Sequence, residues 1–245
     1  MINSKKIKII TLNIHKGFLF SKKNSTLDKI KSNIRELGAD LVCLQEVVGQ
    51  HPELAKKAQF EFLADQIWSH YAYGKNAIYS KGHHGNAILS HFPFIKHENF
   101  DISNYKLERR GILHGIVQSP VWQNTRLHVM TLHLDLMSWG RKRQLEKLCR
   151  LIEHHVPQDE PLIVCGDFND WREQVSNYLK EKAGLTEAHL NQCGCHARTF
   201  PASLPLLKLD RLYVRGLEVE SISLLNSGPW RELSDHLALF AELRF

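Results

Sequence analysis

No stretch of this 245-residue chain is apolar for long enough to cross a bilayer as a helix, so no membrane-spanning helix is expected. Met1 to Lys8 is polar and basic and leads straight into a strand. The long apolar core of a secretory leader is missing, and a cytoplasmic location is expected. Internal repeats, low-complexity tracts and linkers are also absent, which argues against solenoids and tandem domains and for one domain over residues 1–245. The five cysteines are odd in number and sit mostly in apolar runs. They read as free buried thiols in a reducing compartment rather than a disulfide framework. Cys193-Gly194-Cys195 has one spacer and no second pair, so it reads as a loop with two incidental thiols, not a zinc knuckle. No long block of one charge occurs: Lys5-Lys6, Lys22-Lys23, Arg109-Arg110 and Arg141-Lys142-Arg143 are short clusters. Nothing marks an obligate dimer surface, and a monomer is expected.

What is present is an ordinary globular composition, 43% hydrophobic and 24% charged, with net charge +6. A positive balance suits a polyanionic partner: nucleic acid, an acidic membrane surface or a phosphorylated small molecule. Ile7 to Ile14 is a β-branched strand ending at Asn13. A helix capped by Ser25 or Thr26 carries Leu27, Ile30, Ile34 and Leu37 on one stripe and stops at Gly38. Asp40 to Val47 is the next strand. A loop with His51-Pro52 leads to a helix marked by Phe60, Leu63, Ala64, Ile67 and Trp68, and Tyr71 to Tyr79 reads as extended. Ser80 to Asn86 reads as a polar loop before a strand over Ala87 to Ser90. Ile112 to Val117 and Arg126 to Leu134 read as neighbouring strands, with a hairpin connection between them. Helices follow over Arg141 to His154 and Trp171 to Lys182, the latter ending at Gly184. Residues 189–205 read as irregular, Leu206 to Val214 as a strand, and Leu237 to Leu243 as the last strand.

Leu162-Ile163-Val164-Cys165-Gly166-Asp167-Phe168-Asn169 organises the rest. A buried strand ends at Gly166, and Asp167 and Asn169, with one residue between them, point the same way off its carboxyl end. Such edges bind ligands in layered α/β proteins; an Asx-type turn closing a strand is the alternative. Asn13, Glu46, Asn86, His133, Asp210, Asp235 and His236 also end or border apolar strands. Singly each is a turn former, cap or core residue; jointly they point to one site.

Thr11-Leu12-Asn13-Ile14, Leu44-Gln45-Glu46-Val47, Gly85-Asn86-Ala87-Ile88, Thr131-Leu132-His133-Leu134, Gly166-Asp167-Phe168-Asn169, Leu209-Asp210-Arg211-Leu212 and Ser234-Asp235-His236 together closely resemble the endonuclease/exonuclease/phosphatase superfamily. They stand in that family's order across nearly the whole chain. The resemblance implies a DNase I-like α/β fold, a four-layer α/β/β/α sandwich of two mixed, largely antiparallel sheets flanked by helices, with the site at one open end. It also implies phosphoester hydrolysis with a divalent metal, Mg2+ or alternatively Mn2+. By that similarity Glu46 is the principal metal ligand with Asn13 beside it, and Asp235 supports a second metal position or orders the site. Asp167 orients or deprotonates the attacking water, and Asn169 holds a phosphate oxygen. His236 contacts the scissile phosphate or acts as base, held in its tautomer by Asp210, while His133 faces the phosphate from the other side. Asn86 and Arg110 are the implied substrate-binding positions, with a solvated surface charge as the alternative for Arg110.

Branches that repair abasic DNA generally carry Tyr where this chain has His133. The pancreatic-type deoxyribonuclease branch has His there, supported by a Glu that this chain lacks near His83-His84. The sphingomyelinase-like branch shares the His. Three readings stay open: a phosphodiesterase acting on nucleic acid, favoured by charge; a phosphodiesterase or phosphatase acting on a phospholipid head group or small phosphorylated molecule; and a binding module without turnover. An exposed apolar rim near the site would favour the second, and Trp122, Trp139, Trp171 and Trp230, in expected loops, either form one or pack inside. Arg141, Arg143 and Gln144 open a helix after His133 that either faces an anion or is a capped surface helix.

Overall fold

A computed structural model describes residues 6–19, 22–50, 58–79, 82–105 and 108–245. Lys5, the loop at His51-Pro52 and Ser80-Lys81 lie outside the described residues. The chain begins with β1 (Lys6–Asn13), a small antiparallel pair β2 (Phe18–Leu19) and β3 (Lys22–Ser25), α1 (Leu27–Leu37) and β4 (Leu41–Gln50). It continues through α2 (Gln59–Ala64), β5 (His70–Tyr79), β6 (Gly82–Ser90), β7 (Phe94–Asp101), β8 (Gly111–Gln118) and β9 (Arg126–His133). The second half holds α3 (Ser138–His155), β10 (Leu162–Asp167), α4 (Val175–Ala183), β11 (Thr186–Glu187), α5 (Ala188–Cys193), β12 (Asp210–Arg215), β13 (Glu218–Leu225) and β14 (Ala238–Arg244).

Two mixed six-stranded sheets form, in the orders β13-β14-β1-β4-β6-β5 and β11-β12-β10-β9-β8-β7. β1–β4 and β9–β10 are the parallel pairs at their centres. Alternation along the strands sorts the apolar residues into three layers. Ile7, Ile9, Leu41, Cys43, Leu127, Val129, Ile163, Cys165, Leu212 and Val214 face inward and fill the space between the sheets. Ile10, Leu12, Val42 and Leu44 face outward against Ile30 and Ile34 of α1 and Leu63 of α2. Met130, Leu132, Leu162 and Val164 face the other way, against Leu145, Leu148 and Ile152 of α3 and Leu179 of α4. The result is the expected four-layer α/β/β/α sandwich. Truncating one of these fully buried Leu or Ile side chains to Ala costs about 2–5 kcal/mol.

The expected helix stops hold. Gly38 and Gly184 take left-handed φ values of 63° and 66° and close α1 and α4. Of the expected loop at residues 80–86, the described residues 82–86 are instead the start of β6. Gly85 is there because a Cβ would meet the Gly74 carbonyl oxygen at 1.8 Å, so this glycine marks close strand approach rather than a turn. α4 begins at Val175, not Trp171, because Glu173 adopts φ 59° and Asp170 Oδ2 accepts the Val175 N–H at 2.9 Å. α5 interrupts the stretch expected to be irregular, its first turn capped by the Glu187 carboxylate accepting the Leu190 N–H. Leu206 and Leu207 do not extend β12: their N–H groups turn back onto the Phe200 carbonyl at 2.9 and 2.7 Å.

Candidate active site

The site lies where the inward rows turn polar. Continuing the inward positions of β1 past Ile7 and Ile9 reaches Thr11 and Asn13; those of β4 past Leu41 and Cys43 reach Gln45. Those of β9 past Val129 reach Thr131 and His133, and those of β10 past Cys165 reach Asp167. Register places them side by side. Asp167 pairs with His133 across the parallel β9–β10 ladder and with Asp210 across the antiparallel β10–β12 ladder. Behind this layer Gln45 Nε2 donates to Thr131 Oγ1 at 2.8 Å and Thr11 Oγ1 at 3.2 Å, joining the two sheets beneath the site.

Glu46 reaches the site by another route. Strict alternation after Gln45 would turn it outward with Leu44. Instead a bulge between Leu44 and Val47 puts Glu46 at φ 57° and brings its carboxylate to the site. Asn169 at φ 50°, His15 at 44° and Lys16 at 57° share this left-handed backbone. Such conformations cost about 1–3 kcal/mol for a residue other than glycine, and their concentration around one pocket is typical of functional strain.

Asp167 is the hub. Its Oδ2 accepts from Asn13 Nδ2 at 3.2 Å and lies 3.4 Å from His133 Nε2 and 3.8 Å from His236 Nε2. Its Oδ1 accepts the Asn169 N–H at 3.0 Å. His236 Nδ1 meets Asp210 Oδ2 at 2.8 Å, which directs the Nε2 side of the ring toward Asp167. Glu46 Oε1 stands 3.5 Å from Asn13 Nδ2 and 3.8 Å from His133 Nδ1. Asp235 is one step removed, its Oδ2 3.2 Å from His15 Nδ1 and its Oδ1 accepting from Ser234 Oγ at 3.2 Å.

Burial and charge act in opposite directions here. Burial pushes the His236 imidazole down, but the carboxylates of Asp210, Asp167 and Asp235 outweigh it and hold its pKa up at about 10, a stable imidazolium. Burial raises the Asp167 pKa to about 6, with Asp210 adding and His236 opposing. His133, buried beside the cations Arg110 and His236, is held well below the usual histidine range and stays neutral. A carboxyl raised in pKa between one imidazole held charged and one held neutral suits acid–base work on one substrate.

The other expected positions sit differently. Asn86 is buried, and its amide donates to the Gly111 and Thr131 carbonyls at 3.0 and 3.4 Å, stitching β6 to the facing sheet. Arg110 donates to Glu108 Oε1 at 2.6 Å, while its buried Nε lacks a hydrogen-bond partner. Arg141 is buried and donates to the Asp135 and Leu136 carbonyls, and Gln144 Oε1 accepts the Asp135 N–H at 2.8 Å, so this helix start is satisfied from within. His83 Nδ1 bonds the Tyr73 hydroxyl at 3.0 Å. Trp122 and Trp230 are core residues; Trp139 and Trp171 are exposed.

Reading strand ends alone missed Gln45, Ser234 and Asp170. Ser234 Oγ donates to the Asn13 carbonyl at 2.6 Å and so ties β1 to the His236 turn. Gln45 was signalled only by parity: it is the next inward position after Cys43. Asp170 shows no sequence signal beyond following Asn169.

The two-sheet sandwich with a buried Asp–His cluster at one open end is that of a phosphoesterase superfamily. A sequence profile described as "Endonuclease/Exonuclease/phosphatase family" matches residues 10–236, and the chain belongs to that family, whose members are generally hydrolytic and generally use divalent metals. The "Uncharacterized protein YbhP" of Escherichia coli (strain K12) is 42% identical over 243 residues, covering 96% of this chain and 95% of that protein. Among solved structures, an endonuclease/exonuclease/phosphatase from Beutenbergia cavernae superposes with TM-score 0.82 at 21% identity, covering 98% of this chain and 72% of that one. The Bacteroides thetaiotaomicron mannosyl-6-phosphatase Bt3783 gives 0.77 at 16% identity, over 98% and 100%. D. rerio TDP2 complexed with a single-strand DNA product gives 0.75 at 19%, over 98% and 99%. At these identities the structural likeness speaks for the fold. Among the described residues no helix is long and apolar enough to cross a membrane, and all five cysteines are free, Cys43 and Cys165 buried, Cys193 and Cys195 exposed.

Proposed function

We propose that the chain is a divalent-metal-dependent phosphodiesterase, using Mg2+ or Mn2+, and acts as a monomer in the reducing cytoplasm. The observation that carries this is the buried cluster of Asp167, Asp210 and His236, whose candidate ligand atoms lie within 4.8 Å of one another, beside Asn13 and Glu46. The residues fit a hard cation. Glu46 and Asn13 offer oxygen donors, Asp235 a further carboxylate, and Asp210 Oδ1 is buried without a hydrogen-bond partner. Held by Glu46 and Asn13, such a cation would neutralise charge developing on the phosphoryl and leaving oxygens.

Asp167, fixed by the Asn169 backbone and Asn13, accepts a proton from the attacking water; a carboxyl raised toward 6 is a better base than an exposed one. His236, kept charged and oriented by Asp210, presents N–H to a nonbridging oxygen. His133 faces the phosphate from the other side. Asn169 has one amide N–H committed to the Leu134 carbonyl at 2.9 Å and a second for a phosphate oxygen. Arg110 and Asn86 serve the substrate side, Arg110 by charge and Asn86 by holding the sheets at their spacing.

Nucleic acid is the first substrate reading, supported by the net charge of +6 and by the DNA-bound relative of the same fold. A phospholipid head group is the second, favoured by the exposed apolar side chains beside the site. The test is hydrolysis of bis-p-nitrophenyl phosphate, plasmid DNA, RNA and phospholipid with Mg2+, Mn2+ and EDTA. Metal-dependent cleavage lost in Glu46→Ala is expected. A folded protein inert on every substrate would leave a binding module in its place.

A further inference from the structure

Three loops around the catalytic end carry most of the large apolar side chains that are exposed among the described residues. Leu136 and Met137, between β9 and α3, and Trp139, in the first turn of α3, are 55%, 54% and 49% exposed, and Trp171, after β10, is 42% exposed. Leu204, Leu206 and Leu207, before β12, add 65%, 57% and 39%. All three loops touch the site. The Leu134 carbonyl accepts from Asn169, Trp171 follows Asn169 by two residues, and the Phe200 ring lies 4.9 Å from His236 while the Ala202 N–H bonds the Asp235 carbonyl at 2.7 Å.

The loops are also joined to one another. The buried Arg141 guanidinium donates to the Leu136 carbonyl at 2.6 Å and lies 4.7 Å from the Trp171 ring. Lys208 bonds Glu173 at 2.5 Å, tying the leucine loop to the tryptophan loop. Charge on this rim is one-sided. Lys142, Arg143 and Arg172 are exposed, Arg143 sitting 5.7 Å from the Trp139 ring, whereas the exposed acid Glu173 is paired with Lys208.

We propose that this collar is a membrane-docking surface that seats the catalytic mouth on an anionic phospholipid bilayer. The proposal rests on the phosphodiesterase reading of the neighbouring pocket and takes the phospholipid head group, the second substrate reading above, as what the pocket receives. Exposed large apolar side chains gathered at one end of a molecule mark an interaction site rather than ordinary soluble surface. Tryptophans beside basic residues favour the membrane–water boundary, and aliphatic side chains at their tips enter it. Single-stranded nucleic acid would stack on aromatic faces. Five of these seven side chains are aliphatic and give a base no such face, and guanidinium groups already lie over Trp139 and Trp171. Cations beside the collar complement phosphatidylglycerol head groups.

The tryptophans supply the probe. Trp139 and Trp171 are exposed, and the other three are buried. Vesicles of phosphatidylcholine with phosphatidylglycerol should co-sediment the protein and blue-shift its fluorescence, and brominated lipid should quench it. Phosphatidylcholine alone should bind more weakly. Leu136→Ser/Met137→Ser and Leu204→Ser/Leu206→Ser should each weaken vesicle binding by about tenfold or more, with hydrolysis of soluble bis-p-nitrophenyl phosphate unchanged. Asp167→Asn should still bind vesicles, which separates docking from catalysis. Absence of vesicle binding would overturn the proposal, as would binding indifferent to the serine substitutions. So would the same substitutions dissolving a dimer, or abolishing single-stranded oligonucleotide binding, in a protein that ignores vesicles.

Discussion

His236 and His114 are both buried, and their surroundings drive them apart. Three carboxylates around His236 hold its pKa near 10, whereas burial first, and then the neighbouring His128, His155 and Lys96, which oppose a further positive charge, push His114 down to about 3. His114 Nε2 bonds His128 Nδ1 at 2.9 Å, and His128 Nε2 meets Glu160 at 2.5 Å. The two rings therefore form a neutral relay between β8 and β9. A histidine held neutral in the folded state gives stability above its unfolded pKa of about 6.5 that is lost as pH falls from there toward 3, by up to about 1.4 kcal/mol per pH unit. Urea midpoints should therefore fall with acidification, and less steeply in His114→Gln; identical pH slopes would contradict the neutral relay. At the candidate active site, Asp167→Ala and His236→Ala should each lower turnover by about 100- to 10,000-fold while leaving far-UV circular dichroism unchanged. Turnover within a few-fold of the parent would remove either residue from the chemistry.

Strand β4 shows what an element adds beyond its residues. Its bulge turns Glu46 toward the pocket at the expense of a left-handed backbone. Glu46→Gly should raise unfolding stability by about 1 kcal/mol while abolishing metal-dependent turnover, a divergence that thermal melts and an activity assay read together. Gly166 on β10 behaves oppositely. At φ 137°, a Cβ would meet the Leu132 carbonyl oxygen at 2.1 Å, so Gly166→Ala should cost about 3 kcal/mol or more, seen as a lower urea midpoint. The central strands were legible because Ile, Val and Leu runs mark strands buried on both faces. The edge strands β7 and β13 were not, because Phe94–Asp101 is largely solvent-facing and Glu218–Leu225 mostly half-buried, with polar residues breaking up their apolar ones. The aim of Glu46 was equally hidden, since alternation alone sends it to the helix layer.

Across the whole molecule the candidate site belongs to neither sheet. Asn13, Glu46 and His236 come from the first sheet and its connections, and His133, Asp167 and Asp210 from the second. Sequence showed these residues as polar strand ends; the contacts that gather them around Asp167 exist only after the sheets pack. Hydrolysis of a soluble diester should therefore disappear in urea in one transition coincident with far-UV circular dichroism. Loss of activity well before the fold would show that the sheets separate locally at the mouth. The pairing of β1 has a further consequence. One of its neighbours, β4, arrives soon after it, but the other is β14, with Lys6 opposite Arg244 and Thr11 opposite Leu239. On the ribosome one edge of β1 must therefore wait until β14 is made, and Ser234 and His236 come just before β14. Until β14 emerges the nascent chain carries an open, β-branched edge and an incomplete candidate pocket. Both are closed by the same strand.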